Sequence, residues 1–479
     1  LLFSSVYSIK LIDYSRNINS VQRRENYGLV SVAFLLAGLF IASCTPKTEE
    51  VSIPNPKEVS YGIGEINMSK ESYHDKVLGA IVGSAIGDAM GVSTEMWSRS
   101  AIQKRYGYIL GLTPALMAQS PEGPWGHNLP AGSTTDDTRW KYMLTQYIDQ
   151  HRSKLNRENF AQFIIDYYQQ QVGALSDKEL LTQPDDLDVR IEKIDWIKEW
   201  ARVALAYRES DAKYEQVRDR FYGGEMSCAG LLYTPMFGLV APNATEAYNL
   251  AYDHTLFDIG YARDISSIAA AMTHMALHTQ NMDSILATQA YIDPYGYQDS
   301  RLIARIPQAI ANTTHDYVLG AFEIDEIQLS EALILNDSIT IAKIPEGAAI
   351  VLHKDSVKLK IPTNYPGSDL EWFQQKTIYE ALEENQRQIA FHAGEIWEIL
   401  YAGLLFGGGD FEKTLQFIIN YGRDNDTVGA IAGMILGAKD GYAQLPTAMK
   451  EEVIRVHKDQ IGIDLELLAN QLVDSMYPE

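Results

Sequence analysis

Cysteine is almost absent from this chain. Cys44 and Cys228 are the only two among 479 residues, too few for a disulfide framework or a thiolate zinc site. The ten histidines form no H-E-x-x-H pair, and neither G-x-x-x-x-G-K-[ST] nor G-x-S-x-G occurs. Metalloprotease, P-loop and serine-hydrolase chemistry are thereby set aside. Positive charge is scarce as well: 40 Lys and Arg stand against 63 Asp and Glu, a formal charge of −23. That argues against a protein that holds nucleic acid through its phosphates, and no Lys/Arg block offsets it. An acidic surface still permits an anionic ligand in a local pocket. Apolar residues make up 46%, the share of an ordinary globular protein with a sizeable core.

Long apolar runs are missing too, except near the beginning. In "RRENYGLVSVAFLLAGLFIASCTP", Arg23 and Arg24 precede an apolar stretch from Leu29 to Ala42. At about 14 residues it is short for a membrane span and suits a signal-peptide core. Its end, "IASC", resembles a bacterial lipobox, which would make Cys44 the acylated N-terminus. Residues 1–44 are therefore expected to be a lipoprotein signal peptide. The membrane would be reached only through the lipid, and the protein would reside in the bacterial cell envelope. A true membrane anchor or a cytosolic protein with an apolar start are the competing readings. Residues 45–69 carry Pro, Glu and Ser without apolar periodicity and are expected to be a flexible tether.

The remainder, 70–479, reads as one helical domain. Gly79, Gly83, Gly87 and Gly91 recur every four residues, as do Gly429, Gly433, Gly437 and Gly441. Each Gly inside a helix costs about 1 kcal/mol relative to Ala. Four on one stripe make sense only if another backbone lies close against them. Both stripes are expected on central, tightly packed helices that face each other. "DDTRWKYMLTQYIDQ" places Trp140, Met143, Leu144, Tyr147 and Ile148 on one helical face. "NFAQFIIDYYQQQ", "DISSIAAAMTHMALH", "SRLIARIPQAIANT", "KTIYEALEENQRQIAF" and "EIWEILYAGLLF" continue the helical period. Asp410 is placed as an N-cap for "FEKTLQFIIN". The period changes only in "SITIAKIPEGAAIVLHKDSVKLKIP", where Val357, Leu359 and Ile361 alternate with lysines. A small β-rich insertion over 325–363 is expected there, a long surface loop being the alternative.

Two acidic motifs remain. "STTDD" leads into the Trp140 helix, and "RDNDT" leads into the second glycine stripe. Taken singly, each reads as a helix cap, because Thr and Asp suit N-caps and carboxylates suit a first helical turn. Taken together they suggest more. Were Asp136, Asp137, Asp424 and Asp426 to converge, four carboxylates could not all stay ionised without cations between them. Oxygen donors without thiols or paired histidines point to Mg2+, Mn2+ or Ca2+, in a dinuclear site.

Three motifs in order carry a family resemblance. "GSAIGDAMGVSTE" is followed by "TDDT" at 135–138 and then by "YGRDNDTVGAIAG". They are similar to the G-x-x-x-G-D-A-x-G, T-D-D-T and G-G-D-T-D-T-x-A-A-x-A-G motifs of the ADP-ribosylglycohydrolase family, which includes dinitrogenase reductase-activating glycohydrolase. The likeness covers roughly 73–445. It implies an all-α, compact orthogonal helical domain with two Mg2+ ions, or Mn2+ in their place. By matching position, Thr135, Asp136, Asp137, Asp424, Asp426 and Thr427 would be the metal ligands. Glu95 would match the acidic residue near the metals and the scissile bond. On the substrate side, Ser227 stands where the family has Asn, within "GGEMSCAGLLYTPMFG". His254 falls near a family pocket histidine, although a lone His is more often structural. Arg423 replaces the second Gly of the last motif, and Asn425 its middle Thr.

The resemblance implies a metal-dependent hydrolase that cleaves the glycosidic bond at the ribose of an ADP-ribosylated protein or small molecule and releases ADP-ribose. Glu95 or Asp136 would orient or deprotonate the attacking water. The altered pocket segment keeps two alternatives open: a hydrolase of another ribosyl or nucleotide-derived glycoside, and a non-catalytic metal- or nucleotide-binding lipoprotein.

Overall fold

Two helices, buried on all sides over most of their length, run through the middle of the molecule. One spans Lys70–Gly91 and the other Asn425–Asp440. From Val77 to Gly91, and from Asn425 to Lys439, every residue is buried, so neither helix has a solvent face. They run antiparallel with their glycines interdigitated. A Cβ at Gly83 would lie 2.4 Å from Gly433 O, and one at Gly79 would lie 2.5 Å from Gly437 O. At Gly87 a Cβ would come within 1.9 Å of Gly429 O. Backbone thus packs on backbone, which is why seven stripe glycines sit inside these helices despite their propensity cost. Gly441 departs from the expected stripe. It ends the second helix at φ +86°, where an added Cβ would run into the Asp75 carboxylate.

The computed structural model describes residues 59–116, 128–175, 184–330 and 361–477. Helices dominate, and the expected all-α class holds. Around the glycine pair lie the helices Asp136–His151, Ala262–His278, Ala393–Gly407, Phe411–Tyr421 and Leu465–Met476. The face read from Trp140 to Ile148 is fully buried. Trp140 meets Trp200 edge-on at 4.8 Å and Tyr233 at 4.9 Å. Asp410 caps Phe411–Tyr421 as expected, its Oδ1 accepting from Lys413 N at 2.7 Å.

Three expectations shift. "SRLIARIPQAIANT" is helical only from Ile306, with Pro307 in the first turn, where its missing N–H costs nothing. Leu302 and Ile303 before it are exposed. Most of the expected β-rich insertion, 331–360, lies outside the described residues. Its first part, 326–330, is helical, with Asp325 Oδ1 capping Ile327 N and Gln328 N. Residues 1–58, with the expected signal peptide and most of the tether, also lie outside. The end of that tether is docked on the domain. Tyr61 and Leu155 exchange backbone hydrogen bonds of 2.9 and 2.8 Å, and Ile66 is buried.

The only sheet among the described residues is a two-residue ladder. Strand β1, Trp97–Ser98, pairs antiparallel with strand β2, Gly422–Arg423. Small as it is, this ladder ties the turn after the first glycine helix to the chain entering the second.

Candidate metal centre

The glycine contact ends at the acidic residues. A Cβ at Gly91 would come within 2.3 Å of Asp426 Cα, so the first helix delivers its C-terminal turn directly onto the second motif. Glu95 follows within four residues. Beside it, Met96 N donates to Arg423 O at 2.7 Å, and Trp97 pairs with Arg423. Met96 and Arg423 both hold left-handed backbone, φ +62° and +64°. Such conformations are costly for residues with a Cβ and persist where surroundings enforce them. Here they turn the chain so that Glu95 and Asp424 face the same space. Asn425 adds a tie, its Nδ2 donating to Thr94 Oγ1 and Ile419 O, each at 2.9 Å.

The "TDDT" motif is organised by Asp88. Its buried carboxylate accepts from Thr135 N at 2.9 Å and Thr135 Oγ1 at 3.1 Å. It also accepts from Thr138 N at 3.1 Å and Thr138 Oγ1 at 2.7 Å. Thr135 is the N-cap of Asp136–His151, its Oγ1 accepting from Asp137 N at 3.3 Å. The cap reading of this motif therefore stands beside the metal reading, and Thr135 Oγ1 keeps one lone pair for a further partner. The second motif differs. Asp424 occupies the N-cap of Asn425–Asp440, yet its side chain makes no capping hydrogen bond. It turns instead toward the other carboxylates.

The two motifs do converge. Thr427 Oγ1 donates to Asp137 Oδ2 at 2.9 Å across 290 residues of sequence. Oxygens of Glu95, Asp424 and Asp426 all lie within 4.8 Å of one another. Glu95 Oε2 and Asp426 Oδ1 are shut off from solvent without a hydrogen-bond partner. Buried carboxylate oxygens are rarely left so. Burial first, and the neighbouring carboxylates second, raise the proton affinity of Asp88, Glu95, Asp136, Asp424 and Asp426. Asp424 is raised to about 7, with Asp137 as its strongest charged neighbour. Asp88 is likewise raised to about 7 and Asp136 to about 6. Glu95 and Asp426 stand well above the usual carboxylate range. Asp424, Asp136, Asp137 and Asp88 all push Glu95 upward, and Glu95, Asp424, Asp137 and Asp88 push Asp426, so the six carboxylates form one electrostatic unit. Orphaned hard oxygens and crowded negative charge are the donor set of a divalent oxygen-loving cation. The residues fit such an ion, and Glu95, Asp424 and Asp426 could hold it.

Positive charge on Arg139 and Lys141 balances part of this field. Lys141, buried, donates to Asp137 O at 3.0 Å and to Asp137 Oδ1 at 3.3 Å. Sequence reasoning passed over it, although its position four residues after Asp137 on a helix was a usable signal. Glu395 was missed too, and nothing local marks it. It is buried, and Arg423 grips it with Nε at 2.6 Å and Nη2 at 3.2 Å.

The expected substrate-side residues separate. Arg423 stands at the rim next to Asp424, with its guanidinium committed to Glu395 and Arg387 O. Ser227 is buried in the segment that runs beside His392. That segment is anchored by Asp258, which accepts from Gly230 N at 2.6 Å. His254 is a correction. Its Nδ1 lies 2.6 Å from Leu250 O and its Nε2 2.9 Å from Tyr147 Oη, and it has no exposed surface. Both ring nitrogens are taken by the protein, and burial holds its pKa at about 3. It is a neutral core histidine and leaves the list of ligand contacts.

Comparison with known proteins bears on this geometry. A 97-residue stretch is 29% identical to the uncharacterized protein YegU of Escherichia coli (strain K12). That stretch is 19% of this chain and spans about a quarter, 27%, of that relative's length. A solved structure titled "ADP-ribosylglycohydrolase-related protein complex" aligns with 85% of this chain and 99% of its own, at a TM-score of 0.48 and 16% identity. The family pattern described as ADP-ribosylglycohydrolase matches residues 69–479. That match takes in both glycine helices, the Glu95 turn and both acidic motifs, and by it the chain belongs to the ADP-ribosylglycohydrolase family.

Proposed function

We propose that this protein is a Mg2+-dependent hydrolase that cleaves the glycosidic bond at the ribose of an ADP-ribosylated protein or small molecule, releasing ADP-ribose. The observation that supports it is the cluster of Glu95, Asp424 and Asp426 with two orphaned oxygens, joined to Asp137 through Thr427. Thr135, Asp136, Asp137, Asp424, Asp426 and Thr427 would hold two Mg2+ ions, or Mn2+, with Glu95 beside them. There the residues would hold ions whose chemistry is to polarise ribose hydroxyls and to lower the pKa of a water. The remaining work falls to the chain. Asp88 fixes the start of the Asp136 helix through four hydrogen bonds, and Lys141 offsets part of the negative charge. Surrounding carboxylates favour the positive charge that develops on a ribosyl centre as its bond breaks. Glu95 or Asp136, both half-buried at the edge of the cluster, would orient or deprotonate the water.

The test is incubation of the purified protein with a panel of ADP-ribosylated proteins and small molecules, with Mg2+ and with chelator. Release of ADP-ribose that stops with chelator is the expected result. Release of another ribosyl product instead would favour the related-glycoside alternative, and no release from any compound would favour a binding role. We propose also that the protein is held at the bacterial cell envelope by a lipid on Cys44, with no other membrane contact.

A further inference from the structure

Apart from the acidic cluster, a cavity of about 160 Å3 is lined by Arg139, Tyr142, Tyr167, Gln171 and Trp196, with 461–463 completing its wall. Helical spacing brings these side chains together. Arg139 and Tyr142 lie three apart on Asp136–His151, and Tyr167 and Gln171 four apart on Arg157–Leu175, so each pair shares a face. Trp196 comes from Pro184–Glu209 and meets Trp140 edge-on at 5.5 Å and Tyr167 at 6.3 Å. Gly462, at φ +79°, leaves room: a Cβ there would meet nothing within 4 Å. The chemistry of this wall is one-sided. A guanidinium, two phenols, an amide and an indole N–H can all donate hydrogen bonds, and no carboxylate lines the cavity. None of the five makes a side-chain hydrogen bond among the described residues. Arg139 is the sharpest case. Its charge reaches Asp136, yet its Nη1 is shut off from solvent without a hydrogen-bond partner. Such atoms are rare, and a guanidinium kept from water without an acceptor is costly. Burial, with Tyr142 beside it, pushes the Tyr167 phenol up to about 12 although Arg139 draws it down, so this hydroxyl keeps its proton and remains a donor.

We propose that this cavity binds a small organic monocarboxylate with a flat apolar body, its carboxylate taken by Arg139 and the Tyr167 hydroxyl and its body lying against Trp196. Donors without acceptors call for an anion. Arg139 is the only cation on the wall, which suits a single negative charge, and a guanidinium matches a carboxylate in shape. Three aromatic rings suit a flat apolar body. The volume is below the roughly 300 Å3 at which pockets for drug-sized ligands begin, so the ligand is small. The inference goes beyond the hydrolase reading and does not depend on it.

The experiment titrates benzoate into the full chain by calorimetry, in chelator so that no bound ion offers the carboxylate another partner. Benzyl alcohol serves as the neutral analogue and inorganic phosphate as an anion without an apolar body. Benzoate should bind wild type with a Kd of about 1 mM or below, within reach of a ligand of about nine heavy atoms. Benzyl alcohol and phosphate should each bind at least about tenfold more weakly. Arg139→Met should lower benzoate affinity at least about tenfold, and Tyr167→Phe by about two- to tenfold. Melting curves without benzoate show whether each variant is folded, and Tyr167→Phe decides alone if Arg139→Met is not. Four results overturn the proposal: weaker benzoate binding to wild type than about 1 mM, benzyl alcohol binding as tightly as benzoate, phosphate binding as tightly as benzoate, or unchanged benzoate affinity in the deciding variant.

Discussion

Asp426 shows how one residue carries two opposed roles. With a cation present it would supply an oxygen; without one it is a buried carboxylate pressed by Glu95, Asp424 and Asp137. Asp426→Asn should therefore weaken Mg2+ binding by more than about tenfold, since loss of even an outer-shell partner reaches that size. It should also raise the thermal stability of the metal-free protein, because one repelling charge is gone. Calorimetric Mg2+ titration and melting curves in chelator check both halves, and unchanged Mg2+ binding would return the motif to a helix cap. Arg423 makes the reverse case. Its left-handed φ suits Gly, the residue that the resemblance places there, yet Gly could not hold Glu395. Arg423→Gly should relieve about 1 kcal/mol of backbone cost and lose more by leaving a buried carboxylate unpaired, about 3 kcal/mol or above for a fully buried pair. The guanidinium is 22% exposed, which brings the net loss down to about 1–2 kcal/mol. Denaturant unfolding measures it, and Glu395→Gln in the same chain should recover most of the loss.

At the scale of elements, the glycine helices link stability to the site. Gly87→Ala would drive a Cβ into Gly429 O at 1.9 Å, with only backbone to move aside. Overpacking of this kind costs about 1–3 kcal/mol and more where nothing can yield, so a loss of about 3 kcal/mol is expected in chemical denaturation. Position along the stripe then decides what else is lost. Gly91 abuts Asp426, whereas Gly79 abuts Gly437, Gly441 and Tyr442 at the far end. Gly91→Ala should weaken Mg2+ binding of the folded protein as well as its stability. Gly79→Ala should cost stability with Mg2+ affinity kept. Equal effects on Mg2+ from both substitutions would show that the stripe does not position the cluster.

For the whole molecule, the cluster sets a pH dependence that a bound cation reverses. Asp88 and Asp424 bind protons more tightly folded than unfolded, with pKa values of about 7 against the ordinary 3.8. Between those values the folded state carries more protons, so the stability of the metal-free protein should fall as pH rises from about 4 to about 7. Bound Mg2+ favours the ionised carboxylates instead. The gain in melting temperature on adding Mg2+ should thus be larger at pH 8 than at pH 5, and equal gains would argue against cation binding at this cluster. The proposed attachment to the envelope is tested separately. Mass spectrometry of the membrane fraction should find acylated Cys44 as the N-terminus, and Cys44→Ala should release the protein from membranes. A Cys44→Ala protein that stays bound would overturn the lipid anchor.

Much of this was legible in the sequence because it is written in local periodicity or in covalent limits. The face from Trp140 to Ile148 follows from helical spacing, and the Asp410 cap from one side chain and one backbone N–H. The glycine stripes forecast a close partner, since repeated glycine has no other compensation inside a helix. Other features depend on residues far apart in the chain. His254 carries no local mark of whether its nitrogens face a ligand or Tyr147 and Leu250; packing alone placed it in the core. Glu395 finds Arg423, and Cys228 finds Asp424, only through the approach of separate loops. The sequence by itself determined which residues could donate oxygen to a cation and which helices had to lie deep. Tertiary structure decided which donors meet, because a shared site requires atoms a few ångströms apart, and side chains hundreds of residues apart reach that distance only when the helices carrying them are packed.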